Sequence, residues 1–224
     1  MSTAARVVAI DGPSGSGKST IGRGVATALG LDTLDTGAMY RAVTLAVLRA
    51  GADPTDGDAA AAVARRATLG GHDGVTTLDG DDVSAEIRGP EVTGTVSTVS
   101  AHPAVRTELV ARQRAWVAEH GGGVVEGRDI GSVVFPDAAV KVFLTASDEE
   151  RARRRQQDEA KADRTVSMDE VRASMAARDA ADSGRAASPL TTADGATIVD
   201  TTGRSVADIV AEIVGAFRVA EGAG

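Results

Sequence analysis

Residues Gly12 to Ser19 read Gly-Pro-Ser-Gly-Ser-Gly-Lys-Ser and match G-x-x-x-x-G-K-[ST] at every fixed position. The chemistry such a loop serves is the holding of a nucleotide's phosphates. Its glycines let the backbone curl until successive N–H groups face an anion, and a helix beginning at the lysine adds the positive end of its dipole. Gly12, Pro13, Ser14, Gly15, Ser16, Gly17, Lys18, Ser19 and Thr20 are therefore expected to wrap a nucleoside triphosphate. Lys18 would reach the β- and γ-phosphates, and the Ser19 hydroxyl would coordinate Mg²⁺. The context agrees, because Arg6–Ile10 is a short β-branched run and the stretch from Lys18 to Leu29 has helical spacing.

Two further segments carry groups suited to a second anion. Asp35-Thr36-Gly37-Ala38-Met39-Tyr40-Arg41 places a hydroxyl and a guanidinium near one helix start. Thr36 reads equally as the N-cap of that helix, while Arg41 lies opposite its apolar face and can meet a phosphate. Glu126-Gly127-Arg128-Asp129-Ile130-Gly131 follows a core strand, and the carboxyl ends of strands in doubly wound sheets face the ligand crevice. There Glu126 can orient Mg²⁺ through water and Arg128 can bind an acceptor phosphate; a turn closed by an internal salt bridge is the other reading. Arginines crowd between Arg151 and Arg185, although Lys+Arg total 24 against 32 Asp+Glu and the net charge is −8. A basic cluster in an acidic chain suits a small polyanion, whereas a nucleic-acid wrapper carries the opposite balance.

The elements that must position these groups alternate. Strands are expected at Arg6–Ile10, Leu31–Asp35, Val124–Glu126, Val140–Leu144 and Ala196–Val199. Helices are expected at Lys18–Leu29, at Thr36–Ala50, over Val92–Trp116 with a break near His102-Pro103, and from Ser205 to the C-terminus. Ser147-Asp-Glu-Glu150 and Ser167-Met-Asp-Glu170 each fit a capping box that opens a helix. Between Asp53 and Arg88 the character changes, with strand-like runs Val75–Leu78 and Val83–Ile87 around the hairpin signal Asp79-Gly80. The sum is a mostly parallel sheet covered on both sides: an α/β, three-layer P-loop sandwich with a small inserted α+β subdomain. One domain is expected over residues 1–224, its core at 1–50, 120–150 and 190–224, its insertion at about 51–119, and a lid with its following helix at about 151–189. Aromatics at 2% leave few rings for stacking bases, and the absence of cysteine excludes disulfides and thiolate metal sites. No apolar run or leader suggests a membrane, so the chain reads as soluble and cytoplasmic, with nothing demanding more than a monomer. His72, His102 and His120 are scattered and read as structural or surface residues.

Taken in order, the stretches IDGPSGSGKST, DTGAMYRAV, SAEIR, VRTELVARQR, EGRDIGSVVFPDA, KVFLTASDEERARRR and RDAADSGRAASPL resemble the bacterial cytidylate kinase family. They run from Ile10 to Leu190, and together they are far more specific than the phosphate loop alone. The resemblance implies that Arg41, Arg128 and Arg185 hold the CMP phosphate, with Tyr40 and Thr36 in the same wall. It implies that Arg178 and Asp182 meet the ribose, and that Ser97, Arg106 and Asp129 read the cytosine. Arg151, Arg154 and Arg155 fall in the family's lid, which closes on ATP; each alone also fits a solvated helix face. The insertion is the family's enlarged monophosphate-binding part. Ser19 stands where many members carry glycine, and Thr36 where serine is frequent, which leaves the hydroxyl in place.

The implied reaction is ATP + CMP giving ADP + CDP, with dCMP a second acceptor, and with Asp11 and Glu126 orienting metal-bound waters. Cytosine offers an N4 donor beside N3 and O2 acceptors, so a carboxylate facing N4 and a guanidinium facing N3/O2 complement it. Uracil reverses these groups and leaves buried polar atoms unpaired. Two other readings stay open at this point: a P-loop kinase for UMP, AMP or a metabolite such as shikimate, and a nucleotide-dependent switch.

Overall fold

The computed structural model describes residues 6–72, 74–161, 163–185 and 188–222. In chain order the elements begin with β1 (Val7–Asp11), α1 (Lys18–Leu29), β2 (Thr33–Asp35), α2 (Thr36–Arg49), α3 (Gly57–Arg66), β3 (Leu69–Gly70), β4 (Thr77–Leu78) and β5 (Asp81–Asp82). They continue with α4 (Pro90–Ala101), α5 (Pro103–His120), β6 (Gly123–Gly127), β7 (Val140–Thr145), α6 (Asp148–Lys161), α7 (Met168–Ser183), β8 (Thr197–Asp200) and α8 (Val206–Gly222). Two units are distinct: one runs to Asp32 and resumes at His120, the other is Thr33–Glu119. The second thus includes β2 and α2.

In the first unit the strands lie in the order β6-β1-β7-β8 and all pair in parallel, with Ile10 opposite Glu126 and Val142 opposite Thr197. One face, carrying Val8, Ile10, Val124, Val142 and Leu144, packs against Ile21, Val25 and Ala26 of α1 and Ile209, Ile213 and Phe217 of α8. Val7, Ala9 and Val125 on the other face are buried too, as a parallel sheet requires. That double burial explains why β1 and β6 are continuous apolar runs rather than alternating ones. Their carboxyl ends, with those of β7 and β8, lead into the loops that hold the candidate chemistry.

The second unit packs α2 against α3, α4 and α5 through Val43, Val47, Ala60, Ala64, Val99, Val105 and Leu109. Its small antiparallel sheet has the order β3-β4-β5. Asp79 and Gly80 both take positive φ, 53° and 95°, and close the two-residue turn that pairs Leu78 with Asp81. This is the hairpin expected of an Asp-Gly pair. The break between α4 and α5 falls at His102, just ahead of Pro103, because proline disfavours helical backbone in the residue before it.

Four local expectations need correction. Val83–Ile87 is not a strand: the Asp82 carboxylate accepts from the Ser84 N–H (2.9 Å) and hydroxyl (2.6 Å), ending the ladder, and a short 3₁₀ turn follows at Glu86–Arg88. Helix α3 was not anticipated, although Asp56 caps it through the N–H groups of Asp58 and Ala59 and its alanines face inward. Asp35, not Thr36, caps α2, accepting from the Ala38 N–H at 2.9 Å, and Thr36 is its buried first residue. Of the two capping boxes, Ser167/Glu170 is complete. Ser147 accepts from the Glu150 N–H at 3.3 Å, but the Ser147 N–H goes to the Thr202 hydroxyl and the Glu150 carboxylate to Arg153 and Arg154. Nearby guanidiniums offer Glu150 a charge-assisted bond, which outcompetes a neutral N–H.

Phe217 is 1% exposed and sits one turn beyond Ile213 on the apolar stripe of α8. Phe217→Ala should lower the unfolding free energy by about 3–5 kcal/mol, measured by urea denaturation. A loss under about 1 kcal/mol would mean that α8 does not close the core.

Candidate active site

Strand β1 delivers Asp11 and then Gly12, whose φ of 149° and surroundings exclude any side chain: a Cβ there would lie 2.2 Å from the Leu144 carbonyl oxygen. Further along the loop, a Cβ on Gly15 would lie 2.9 Å from the Arg151 carbonyl oxygen. The Lys18 ammonium donates to the Gly12 and Pro13 carbonyl oxygens, at 2.8 Å each, so it lies folded back over the loop. Ser16 is buried and Thr20, one turn into α1, is exposed.

Strand β6 brings Glu126 to the same end of the sheet, where its Oε2 accepts from the Ser19 hydroxyl at 2.8 Å. A hydroxyl and a carboxylate paired in this way are hard oxygen donors of the kind Mg²⁺ takes, one or two protein groups completed by water and phosphate. The residues present therefore fit the metal. Asp11, at the same end of the sheet, is engaged by backbone. Its two oxygens accept the N–H groups of Ile130 and Gly131, each at 2.8 Å. Burial pushes the Asp11 carboxyl up to about 6, against the pull of those two N–H groups. Its first task is to hold the turn that follows Arg128 and Asp129, a π-helical turn at Ile130–Val134 whose N–H groups at Val133 and Val134 donate to the Asp129 carbonyl.

Beyond that turn, guanidinium groups converge on one carboxylate. Asp182 on α7 is 1% exposed; Arg128 Nε donates to its Oδ2 at 2.9 Å and Arg185 Nη2 to its Oδ1. Arg178 Nε stands 3.9 Å from Oδ2. Burial alone would raise the Asp182 carboxyl, but the charges of Arg128, Arg185 and Arg178 outweigh it and hold it below the usual range. Burial, then the charges of Arg128, Arg155 and Arg185, pushes the Arg178 guanidinium down to about 10, with Asp182 opposing. Three guanidiniums about the Asp182 carboxylate leave net positive charge there, which favours the approach of a further anion.

The lid arginines do not form a solvated face. Arg151 donates to Asp179 Oδ2 (2.5 Å), Asp148 Oδ1 (2.6 Å) and the Ser14 carbonyl (3.1 Å). Arg154 donates to Glu150 and to Thr201, and Arg155 pairs with Glu159 at 2.6 Å. Asp179 and Thr201 escaped the sequence reading, which took Glu150 only as part of a capping box. Thr201 had a signal, since it directly follows the last parallel strand, where such sheets place ligand-side residues.

In the second unit, Arg41 is buried and its Nη1 donates to the Ile87 carbonyl and the Thr93 hydroxyl, both at 2.8 Å. The Arg106 guanidinium lies over the Tyr40 ring, 5.4 Å from its centroid, a cation–π contact that fixes both. Arg106 and Tyr40 are buried and Ser97 is half-buried, its carbonyl accepting from the Ser100 hydroxyl at 3.3 Å. Thr93 and Ser100 were not singled out from sequence; neutral hydroxyls on a helix carry little pattern.

A glycine-rich loop that ends a central parallel strand and starts a helix at its lysine makes the chain a P-loop nucleotide-binding protein. Comparison with known proteins narrows the class. The family model described as cytidylate kinase matches residues 8–219. The cytidylate kinase of Mycobacterium leprae (strain Br4923) is 52% identical over 218 residues, covering 97% of each chain. That of Mycobacterium avium (strain 104) is 54% identical over 208 residues, covering 91% of each. The chain belongs to the cytidylate kinase family. It is a kinase, and the family's reaction is ATP-dependent phosphorylation of CMP to CDP. Among the described residues, no helix is long and apolar enough to cross a membrane.

Asp182→Asn should leave the surrounding guanidiniums without their carboxylate and destabilise the chain by about 3 kcal/mol at neutral pH. Because the folded carboxyl titrates below its ordinary value, its contribution is complete above about pH 4 and is lost as pH falls through the folded value. Thermal melts across the acid range should therefore show a shallower acid loss in Asp182→Asn than in the parent. Parallel acid limbs would contradict the pairing.

Proposed function

We propose that the chain transfers the γ-phosphoryl group of ATP to CMP and dCMP, giving ADP with CDP or dCDP, and that Mg²⁺ accompanies the donor. The overcharged cluster around Asp182 carries this reading. A switch that hydrolyses a nucleotide needs one phosphate site and a positioned water, whereas Arg128, Arg178 and Arg185 supply positive charge well beyond the phosphate loop. The acceptor's phosphate is already an anion at neutral pH, so a strong general base is unnecessary. Catalysis comes from bringing two anions into line and neutralising their repulsion.

In this reading Lys18 leaves the Gly12 and Pro13 carbonyls for the β- and γ-phosphates. Ser19 would hold Mg²⁺ directly and Glu126 through water, and the ion when bound would neutralise charge on the phosphate oxygens. Asp11 orients metal-bound water only through lone pairs left over from Ile130 and Gly131. Arg41, Arg128 and Arg185 take the acceptor phosphate, with Thr36 and Tyr40 beside it. Arg178 and Asp182 take the ribose, and Ser97, Arg106 and Asp129 the cytosine. Arg151, Arg154 and Arg155 act at the donor end. The stacked Tyr40–Arg106 pair supports the base assignment, because a guanidinium fixed over a ring presents its edge to N3 and O2 with little entropy left to lose. A cysteine-free acidic chain suits a reducing cytoplasm, and one chain supplies every proposed role, so a monomer suffices.

A coupled assay with CMP, dCMP, UMP, AMP and no acceptor tests the proposal: rapid ADP formation is expected with the cytosine nucleotides alone. Arg128→Ala should lower kcat/KM for CMP on the order of 10²-fold or more while ATP binding stays nearly intact. Equal loss of ATP affinity would contradict its acceptor role. Asp129→Ala should narrow the preference for CMP over UMP, and an unchanged ratio would remove it from base recognition.

A further inference from the structure

Every carbonyl of the phosphate loop from Gly12 to Ser16 accepts a hydrogen bond from a side chain. Lys18 serves the first two, as described. Behind the loop, Arg151 Nη1 meets the Ser14 carbonyl at 3.1 Å, Arg154 Nη1 the Gly15 carbonyl at 3.5 Å, and the Thr201 hydroxyl donates to the Ser16 carbonyl at 3.2 Å. Thr201 is the best held of these groups. It is 1% exposed, and its N–H donates to the Thr145 carbonyl at 2.8 Å, which ties it to β7. Its hydroxyl accepts from Arg154 Nη1 at 2.9 Å, and its carbonyl accepts from Arg154 Nη2 at 3.0 Å. Arg154 is anchored in turn by Glu150 Oε1 at 2.9 Å. The hydroxyl's single proton goes to Ser16 because Arg154 can only donate, so the guanidinium fixes the direction of the bond.

We infer that Thr201 and Arg154 are positioning residues for the phosphoryl donor: a two-residue brace that sets the orientation of the Ser16–Gly17 peptide. A trans peptide is planar. Its C=O and the following N–H point in opposite directions, and the described residues contain no cis bond. A Ser16 carbonyl held back toward Thr201 therefore turns the Gly17 N–H to the opposite side, as the Ser14–Arg151 bond does for the Gly15 N–H. Backbone N–H groups aimed inward are what a loop of this type offers a triphosphate. Gly17 adopts a φ of 93°, and as a glycine it can leave that conformation cheaply, so something outside the loop must hold it. The brace reaches the loop from the middle of α6 and from the turn after β8, neither of which belongs to the motif.

The inference rests on the loop being the donor site, and the test separates the two. Thr201→Val keeps shape and removes the hydroxyl; Thr201→Ser keeps the hydroxyl. KM for ATP should rise about tenfold in Thr201→Val, with KM for CMP within about twofold of the parent, and Thr201→Ser should restore the parent values. Arg154→Met, at a partly exposed position, should shift ATP in the same direction, and the double variant should lose less than the product of the singles because the two act as one unit. This second variant keeps the test decisive if Thr201→Val does not fold. An unchanged KM for ATP in both variants, or equal losses for both substrates that serine does not rescue, would overturn the brace. Lys18→Ala serves as the control. Retained ATP binding there, by equilibrium titration with MgATP, would overturn the donor reading itself and the brace with it.

Discussion

Asp182 is one buried carboxylate facing several guanidiniums, and the rest of the site follows from that imbalance. Two phosphorylated molecules repel each other, and a chain of net charge −8 adds to the repulsion unless positive charge is gathered locally. Arg128 at the end of β6 and Arg178 and Arg185 on and beyond α7 are gathered by a single anion that orders them without cancelling them. A second carboxylate in the cluster would have halved its net charge, from +2 to +1, and weakened its attraction for any further anion. No carboxylate at all would have left buried guanidiniums whose mutual repulsion the fold could not sustain.

The phosphate loop and the segment that carries Arg128 are tied together through backbone. Asp11, the last residue of β1, precedes Gly12 and also holds the N–H groups of Ile130 and Gly131, just after Arg128 and Asp129. The parallel register of Asp11 beside Gly127 makes this reach possible. One carboxylate thus fixes where the phosphate loop starts and where the arginine-bearing turn bends. The raised titration of Asp11 reflects the cost of that burial, which its two backbone bonds only partly offset.

Much of this was legible in the residues. The phosphate loop is legible because its chemistry demands glycines and a lysine at set spacings, and the parallel strands because double burial makes them uninterrupted apolar runs. The Asp79-Gly80 hairpin and the break at His102-Pro103 follow from backbone sterics that act within a few residues. The failures are competitions between partners. Glu150 could close a capping box or bind Arg153 and Arg154, and charge decided it. Asp35 and Thr36 both suit a helix cap, and the carboxylate took it. Val83–Ile87 has the composition of a strand, yet Asp82 and Ser84 bond locally and end the ladder. The partners of the lid arginines lie far along the chain, so Thr201 and Asp179 became visible only in three dimensions.

If the arginine cluster around Asp182 holds an acceptor phosphate joined to a cytosine nucleoside, as proposed, affinity must depend on that phosphate. Isothermal titration with CMP and with cytidine, at low and at high salt, tests it most directly. CMP should bind with one-to-one stoichiometry and weaken as salt rises, whereas cytidine should bind on the order of 10³-fold more weakly and be insensitive to salt. Equal affinity for the two would contradict it.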